Sequence, residues 1–193
     1  LRDRPANRSP IKTTSFKQLP LLSGLKEVLK NKRIWLVAIY GGLMFAPLPT
    51  FCGLWGVPFL ENEYAVTRPE AAGLVSLVLI GMAAGCPLWG WISNRIGRRL
   101  PPMIVGSIGA LISLLAIIYI RQLSMVSLEI LLFSVGFFIS GFLVAFAIAK
   151  EIANPESTGA TLGFMNMMNS IGIAILQPAI GYVLDYYWSG VTN

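Results

Sequence analysis

The sequence predicts an all-α fold, a polytopic bundle of transmembrane helices, and two observations carry this prediction. Hydrophobic residues make up 55% of the 193 residues and charged residues only 12%, and the mean hydropathy is +0.68. A water-soluble domain needs far more charged surface than this. Five stretches also lack Asp, Glu, Lys and Arg over about 20 residues or more, the length that crosses a bilayer as a helix.

These five uncharged stretches define the predicted membrane spans. Strands of a membrane barrel would instead be about ten residues long, with apolar and polar residues alternating. The stretches here are longer and uniformly apolar, so helices are the consistent interpretation. The predicted spans are residues 34–60, 71–93, 100–120, 130–149 and 160–184.

Residues 1–33 form a basic segment before the first span, and we predict that it is a cytoplasmic linker. It contains no apolar core of the kind found in signal peptides. Within it, residues 21–30 place five apolar side chains on one helical face, which predicts an amphipathic helix at the membrane interface. A solvated linker is the alternative, because Pro20 and Gly24 weaken a helix. The five apolar residues are Leu21, Leu22, Leu25, Val28 and Leu29.

Basic residues cluster before the first span and after the second, and Lys150 follows the fourth. The positive-inside rule therefore predicts a cytoplasmic N-terminus for this chain, in a multi-pass protein of a bacterial inner (plasma) membrane. The net charge of +6 suits contact with anionic membrane lipid. No nucleic-acid-binding module is visible, so we expect no nucleic-acid partner.

Several kinds of chemistry are excluded by composition. The chain has no His, and its two Cys, Cys52 and Cys86, lie inside apolar stretches. No acidic or basic residue lies at the middle of any span. We therefore expect no cofactor, no metal site and no catalytic residue, and we predict that the protein is not an enzyme. A membrane-embedded enzyme stays an alternative that a His-Asp cluster in another part of the protein would revive.

The loop between spans two and three, residues 90–99, reads Gly-Trp-Ile-Ser-Asn-Arg-Ile-Gly-Arg-Arg. Gly97 suits the tight reversal, Gly90 suits a close helix contact, and Asn94 suits a helix cap. The arginines need carboxylates, helix C-termini or lipid phosphates, although they could also serve only as topology anchors. These arginines are Arg95, Arg98 and Arg99.

This signature loop (residues 90–99) resembles the cytoplasmic loop of the major facilitator superfamily, whose pattern is roughly GxLxDRxGRR. The resemblance implies a major-facilitator-like C-terminal half, with the central loop and helices seven to eleven present and the twelfth helix missing. It also implies that the loop helps to hold one gate state. Asn94 stands where the family has Asp, so Glu151 or Glu156 in the other cytoplasmic loop is a candidate for the missing acid.

Span one carries Pro47 and Pro49 near its middle. Each proline removes a helical hydrogen bond, so we predict a helix break of the kind that marks binding sites in transporters. A kink that only serves helix packing is the alternative. Tyr40 and Trp55 are candidate substrate contacts, because both can stack on a solute and hydrogen-bond to it. Trp55 could also be an interfacial anchor.

Span five carries four uncharged polar residues that fall within about 100° of one another around the helix. Amide side chains are costly in lipid, so we predict that this stripe faces the bundle interior and lines a polar path for substrate. Hydrogen bonding between helices is the alternative. The four residues are Asn166, Asn169, Ser170 and Gln177.

The resemblance implies a secondary active transporter that works by alternating access, and symport is the expected mode of coupling. The uncharged candidate residues favour a small polar or zwitterionic solute, such as an amino acid, a short peptide or a sugar. The N-terminal half of the same transporter is the expected partner, and without it this chain is expected to self-associate. A solute sensor that kept the transporter fold, and binds without net flux, is the rival hypothesis.

Overall fold

The computed structural model describes residues 21–120 and 123–188, and this part of the chain is almost entirely helical with no β-strand. The basic segment before residue 21 and the side chains of Leu21 and Leu22 lie outside what the structure describes. The helices are α1 (Leu21–Lys30), α2 (Lys32–Tyr64), α3 (Arg68–Ile96), α4 (Leu100–Tyr119), α5 (Met125–Ile152) and α6 (Thr158–Trp188).

Five of these helices, α2 to α6, are long and apolar enough to cross a membrane. The predicted all-α bundle with five spans is therefore confirmed. Four of the helices extend a few residues beyond the predicted spans, because backbone hydrogen bonding continues past the last apolar residue to a cap. At the start of α3, for example, the backbone N–H of Thr67 donates to Glu70 Oε2 over 2.9 Å.

Span one runs as one helix from Lys32 to Tyr64, and its geometry is irregular around the prolines. Ala46 lies in a turn between two helical stretches, and Pro47 begins the second, where its missing N–H is not needed. A π-helical turn follows at Phe51–Trp55, in which Gly56 N donates to Phe51 O. The helix therefore continues across Pro47 and Pro49 with a turn at Ala46 and a wider turn after Thr50, and the predicted break that marks a binding site stays a prediction.

Helices α3 and α5 pack backbone against backbone through glycines. A Cβ atom built on Gly81 would lie 2.0 Å from the carbonyl oxygen of Phe133, and one on Gly136 would lie 1.8 Å from that of Val78. No side chain fits in these gaps. Nearby, the indole N–H of Trp89 donates to the carbonyl of Phe137 over 2.8 Å. These glycines therefore allow the two helix backbones to come into direct contact.

A second glycine seam joins α2 to α6. A Cβ on Gly42 would lie 2.7 Å from the carbonyl oxygen of Met168, and one on Gly172 would lie 2.7 Å from that of Gly42. The first seam holds α3 against α5, and α4 packs on the other side of α5. Helix α6 contacts mainly α2, so much of its surface is left uncovered.

Helix α1 lies at the end of the bundle that holds the signature loop, and it packs on the start of α6. Val28 is completely buried there, whereas Leu25 and Leu29 are exposed. The amide of Asn154, in the α5–α6 connection, donates to the carboxylate of Glu27. The indole N–H of Trp35 donates to the carbonyl of Leu29 over 3.0 Å. The linker helix is thus attached to the bundle by one side.

The α3–α5 seam generates a stability prediction. Gly81→Ala should lower the free energy of unfolding by about 1–3 kcal/mol or more, because the new methyl group forces two helix backbones apart. Gly90→Ala, on the same helix, is the matched control, since a Cβ there meets nothing within 4 Å. Thermal unfolding of the intact protein in detergent measures both. Equal stability of the two variants would contradict the seam.

Candidate functional site

The signature loop is a tight reversal between α3 and α4. Gly97 ends α3 with φ of 67°, a left-handed conformation that glycine adopts without strain. Asn94 lies in the last turn of α3, so the expectation that it caps a following segment is wrong. Gly90 is exposed and has no neighbour to its missing side chain, so the close contact expected there is also wrong.

Arg99 is the centre of a polar network at this loop. Its Nη2 lies 2.6 Å from Glu151 Oε1, and its Nε donates to the same oxygen over 3.1 Å. Its Nη1 donates to Ser93 Oγ over 2.8 Å and to Asn94 Oδ1 over 2.7 Å. One guanidinium therefore ties the start of α4 to the ends of α3 and α5.

The network shows which of the two candidate acids, Glu151 or Glu156, pairs with Arg99. Of the two candidates, Glu151 contacts Arg99, and within residues 21–120 and 123–188 this is the one ion pair. Asn94 keeps the position of the family's Asp as a neutral acceptor, so Glu151 supplies the negative charge. Ser93 was not expected from the sequence. It is 1% exposed beneath the arginine, and a single serine at the end of an apolar span gives no signal for that role.

The other two arginines of the loop have different surroundings. Arg95 lies over the indole ring of Trp91, with its guanidinium carbon 5.1 Å from the ring centroid, an arrangement that favours both groups. Arg98 is exposed. Both guanidinium groups are thus available at the surface for lipid phosphates or for another part of the protein.

The two aromatic candidates of span one lie in different environments. The hydroxyl of Tyr40 is 3.1 Å from the carbonyl of Met103 and 3.2 Å from Ser107 Oγ, so it joins α2 to α4. The indole nitrogen of Trp55 is buried and has no hydrogen-bond partner among the described residues. Its ring lies against α6, within 3.4 Å of a Cβ built on Gly181.

The four polar residues of span five do not share one environment. Asn169 is 6% exposed, and its buried Oδ1 has no hydrogen-bond partner in the described chain. It lies 3.6 Å from a Cβ built on Gly41 of α2. Asn166 and Ser170 are exposed on the neighbouring face, and Gln177 is half-buried. Asn169 thus lies at the α2–α6 seam, whereas the other three residues of the stripe lie outside the seam.

A third buried polar atom without a partner among the described residues is Thr50 Oγ1, just before the π-helical turn of α2. Thr50, Trp55 and Asn169 thus place unsatisfied polar atoms along α2 and the adjoining face of α6. Such atoms are costly in a low-dielectric interior unless water or a solute meets them. Thr50 was not expected from the sequence, because a lone threonine in an apolar stretch carries no periodic signal.

No group of three or more Cys, Asp and Glu side chains that could hold a metal ion occurs in the described part of the chain. The polar groups on and between the spans are hydroxyls, amides and indole nitrogens. These groups can bind and orient a polar solute by hydrogen bonds. The described chain is thus a membrane protein of the helical-bundle class, with hydrogen-bonding groups on and between its spans.

Comparison with known proteins agrees with this class. The family model of the Major Facilitator Superfamily matches residues 1–175. The chain therefore belongs to the major facilitator superfamily. The fold and the signature loop agree with this membership, which the loop pattern had predicted.

Three relatives illustrate the similarity. A probable hexose phosphate transport protein of Chlamydia pneumoniae is 27% identical over 169 residues, which cover 84% of this chain and 37% of the relative. The lysosomal dipeptide transporter MFSD1 of Danio rerio is 25% identical over 154 residues, covering 79% and 32%. A hexose-6-phosphate:phosphate antiporter of Salmonella typhimurium (strain LT2) is 23% identical over 164 residues, covering 82% and 34%.

This chain thus spans about a third of the length of these relatives. All three are named as transporters, which favours transport over enzyme chemistry for the family. One of them is an antiporter by name, so symport is not a property that these relatives share.

The Arg99 network generates a second prediction. The two side chains of the ion pair are 26% and 55% exposed, so a double-mutant cycle of Arg99→Gln and Glu151→Gln should give a coupling free energy of about 0.2–1 kcal/mol. Arg99→Gln alone should cost more than Glu151→Gln, because it also removes the bonds to Ser93 and Asn94.

Unfolding midpoints of the four proteins in detergent measure this coupling. Glu156→Gln is the matched control and should show no coupling to Arg99. A coupling to Glu156 as strong as that to Glu151 would contradict the network.

Proposed function

We propose that this chain is part of a secondary active transporter that works by alternating access. The observation that carries the proposal is the uncovered face of α6, where Asn166 presents an amide outside the bundle beside Ser170, whose hydroxyl donates to the carbonyl of Asn166 over 3.1 Å. Polar groups at this depth are costly in lipid and are expected to meet a solute pathway or another part of the protein. Family membership supplies the second support.

The proposed partner is the N-terminal half of the same transporter. The exposed face of α6 combines polar residues with large apolar ones, including Met167, Ile171 and Ile175. A surface of this mixed kind suits a second helix bundle that encloses a polar path between the two. With that partner absent, the same face is expected to make the chain self-associate.

Gating is proposed to use the signature loop. The ion pair of Arg99 and Glu151 is partly exposed, so it can open and close at a small cost in free energy. Within the described chain, neither Arg95 nor Arg98 forms an ion pair with a carboxylate. Both are therefore available to the partner half. Because basic residues cluster at this end, the positive-inside rule supports the proposal that this end and the start of the chain are cytoplasmic, in a bacterial inner membrane.

The proposed cargo is a small polar or zwitterionic solute, such as an amino acid, a short peptide or a sugar. The names of the relatives include carriers of hexose phosphate and of dipeptide. A phosphate ester would be best bound by Lys or Arg, and no such residue lies at the middle of these spans. Amides and hydroxyls instead suit peptide groups and sugar hydroxyls, which favours the uncharged and zwitterionic classes.

Solute counterflow by the intact protein in proteoliposomes tests the proposal. A panel of amino acids, dipeptides, sugars and sugar phosphates should reveal uptake of one class. Asn166→Ala should reduce that uptake by about tenfold, because it removes one hydrogen bond of about 1.4 kcal/mol from the solute. Asn62→Ala is the matched control, since its amide bonds only to the carbonyl of Pro58 on its own helix.

Two results would overturn parts of the proposal. Solute binding without counterflow would replace transport by the sensor function. Equal uptake by the Asn166→Ala and Asn62→Ala variants would remove α6 from the solute pathway.

A further inference from the structure

A cavity of about 340 Å³ lies at the end of the bundle opposite the signature loop. It is formed where the π-helical turn and the last turns of α2 meet the start of α3. Its volume is within the range of sites for small molecules. The walls are partly apolar, from Val57, Pro58 and Ala72, and Cys52 also lines the cavity.

Two opposite charges line the same cavity. Glu61 contributes a half-buried carboxylate and Arg68 an exposed guanidinium. Within the described residues, neither side chain makes an ion pair or a hydrogen bond. Opposite charges on one cavity that do not neutralise each other leave both available to a ligand.

The chain holds these two charges in place by a short reversal. Only residues 65–67 separate α2 from α3, and Ala65 makes the turn with φ of 51°. The bonds from Thr67 to the carboxylate of Glu70 fix the first turn of α3, in which Arg68 lies. The backbone that carries the two charges is therefore fixed, which lowers part of the entropic cost of binding.

We propose that this cavity binds the zwitterionic head of an amino acid or short peptide, with the ammonium group at Glu61 and the carboxylate group at Arg68. A carboxylate and a guanidinium are the natural partners of these two ligand groups, and the apolar wall accommodates an aliphatic side chain. The site narrows the proposed cargo to zwitterions. The claim that the bound zwitterion is also the transported solute rests on the proposed function. Binding of a zwitterion to the cavity is tested separately.

Protection of Cys52 from a thiol reagent tests the site, because Cys52 is one of the residues that line the cavity. The intact protein is placed in nanodiscs and treated with a methanethiosulfonate, and mass spectrometry follows labelling of the peptide that contains Cys52. The probes are leucine and dialanine, with 3-methylbutylamine and 4-methylpentanoate as analogues that each lack one charge. At a leucine concentration of about ten times its Kd, labelling should slow about tenfold by simple occupancy.

The two charge variants give the specific readout. Glu61→Gln and Arg68→Gln should each abolish protection by leucine, measured for each variant as the ratio of its labelling rates with and without leucine. Glu63→Gln is the matched control, because Glu63 is exposed on the same helix and does not line the cavity. It should retain full protection.

The results that would overturn the site are distinct from those that overturn transport. Failure of both zwitterions to protect Cys52, equal protection by a singly charged analogue, or no labelling in the free protein would each remove the site. Counterflow together with such a failure would leave the proposed transport function standing. Protection without counterflow would keep the binding site and remove transport.

Discussion

The structure depends on close contact between helix backbones. Inside a bilayer, apolar side chains gain little by leaving lipid for one another, so association needs dense packing and hydrogen bonds. The carbonyls of Phe133 and Val78 occupy the space that side chains at Gly81 and Gly136 would need. This contact joins α3 to α5, and α5 in turn contacts α4 and α2. Without it, the ends of α3 and α5 would not bring Ser93 and Glu151 to the same guanidinium.

The helices differ in how much of their surface is buried by other helices, and this difference follows from the positions of the two glycine seams. Helix α5 is enclosed by its neighbours, and half of its most apolar segment is buried, whereas the corresponding segment of α6 is 6% buried. The single seam at Gly42 and Gly172 attaches α6 by one edge. The polar residues of α6 consequently divide into a buried residue, Asn169, and exposed ones. The same edge brings the indole of Trp55 against α6, so the unsatisfied atoms and the uncovered face are adjacent.

The sequence predicted the helices well, because a charge-free stretch of span length has few alternatives in a membrane. It predicted the side-chain partners less well. Gly90 and Asn94 were assigned to a loop, but α3 continues to Ile96 because helical hydrogen bonds are satisfied until Gly97 reverses the chain. The pairing of Glu151 with Arg99 joins residues 52 positions apart. Such a pairing depends on how the helices pack, and single-chain periodicity does not contain it.

The π-helical turn at Phe51–Trp55 inserts one residue into the helix, which rotates everything after it by about 100° relative to a regular α-helix. The last third of span one therefore presents its faces in a different register from the first two thirds. Leu60 is completely buried and its neighbour Glu61 lines the cavity. Loss of one residue from the turn would restore a regular α-helix and leave Leu60 and Glu61 on the faces they now occupy. An alignment of related chains that assumes uniform helical spacing across this turn would therefore misassign which residues lie on each face of the helix.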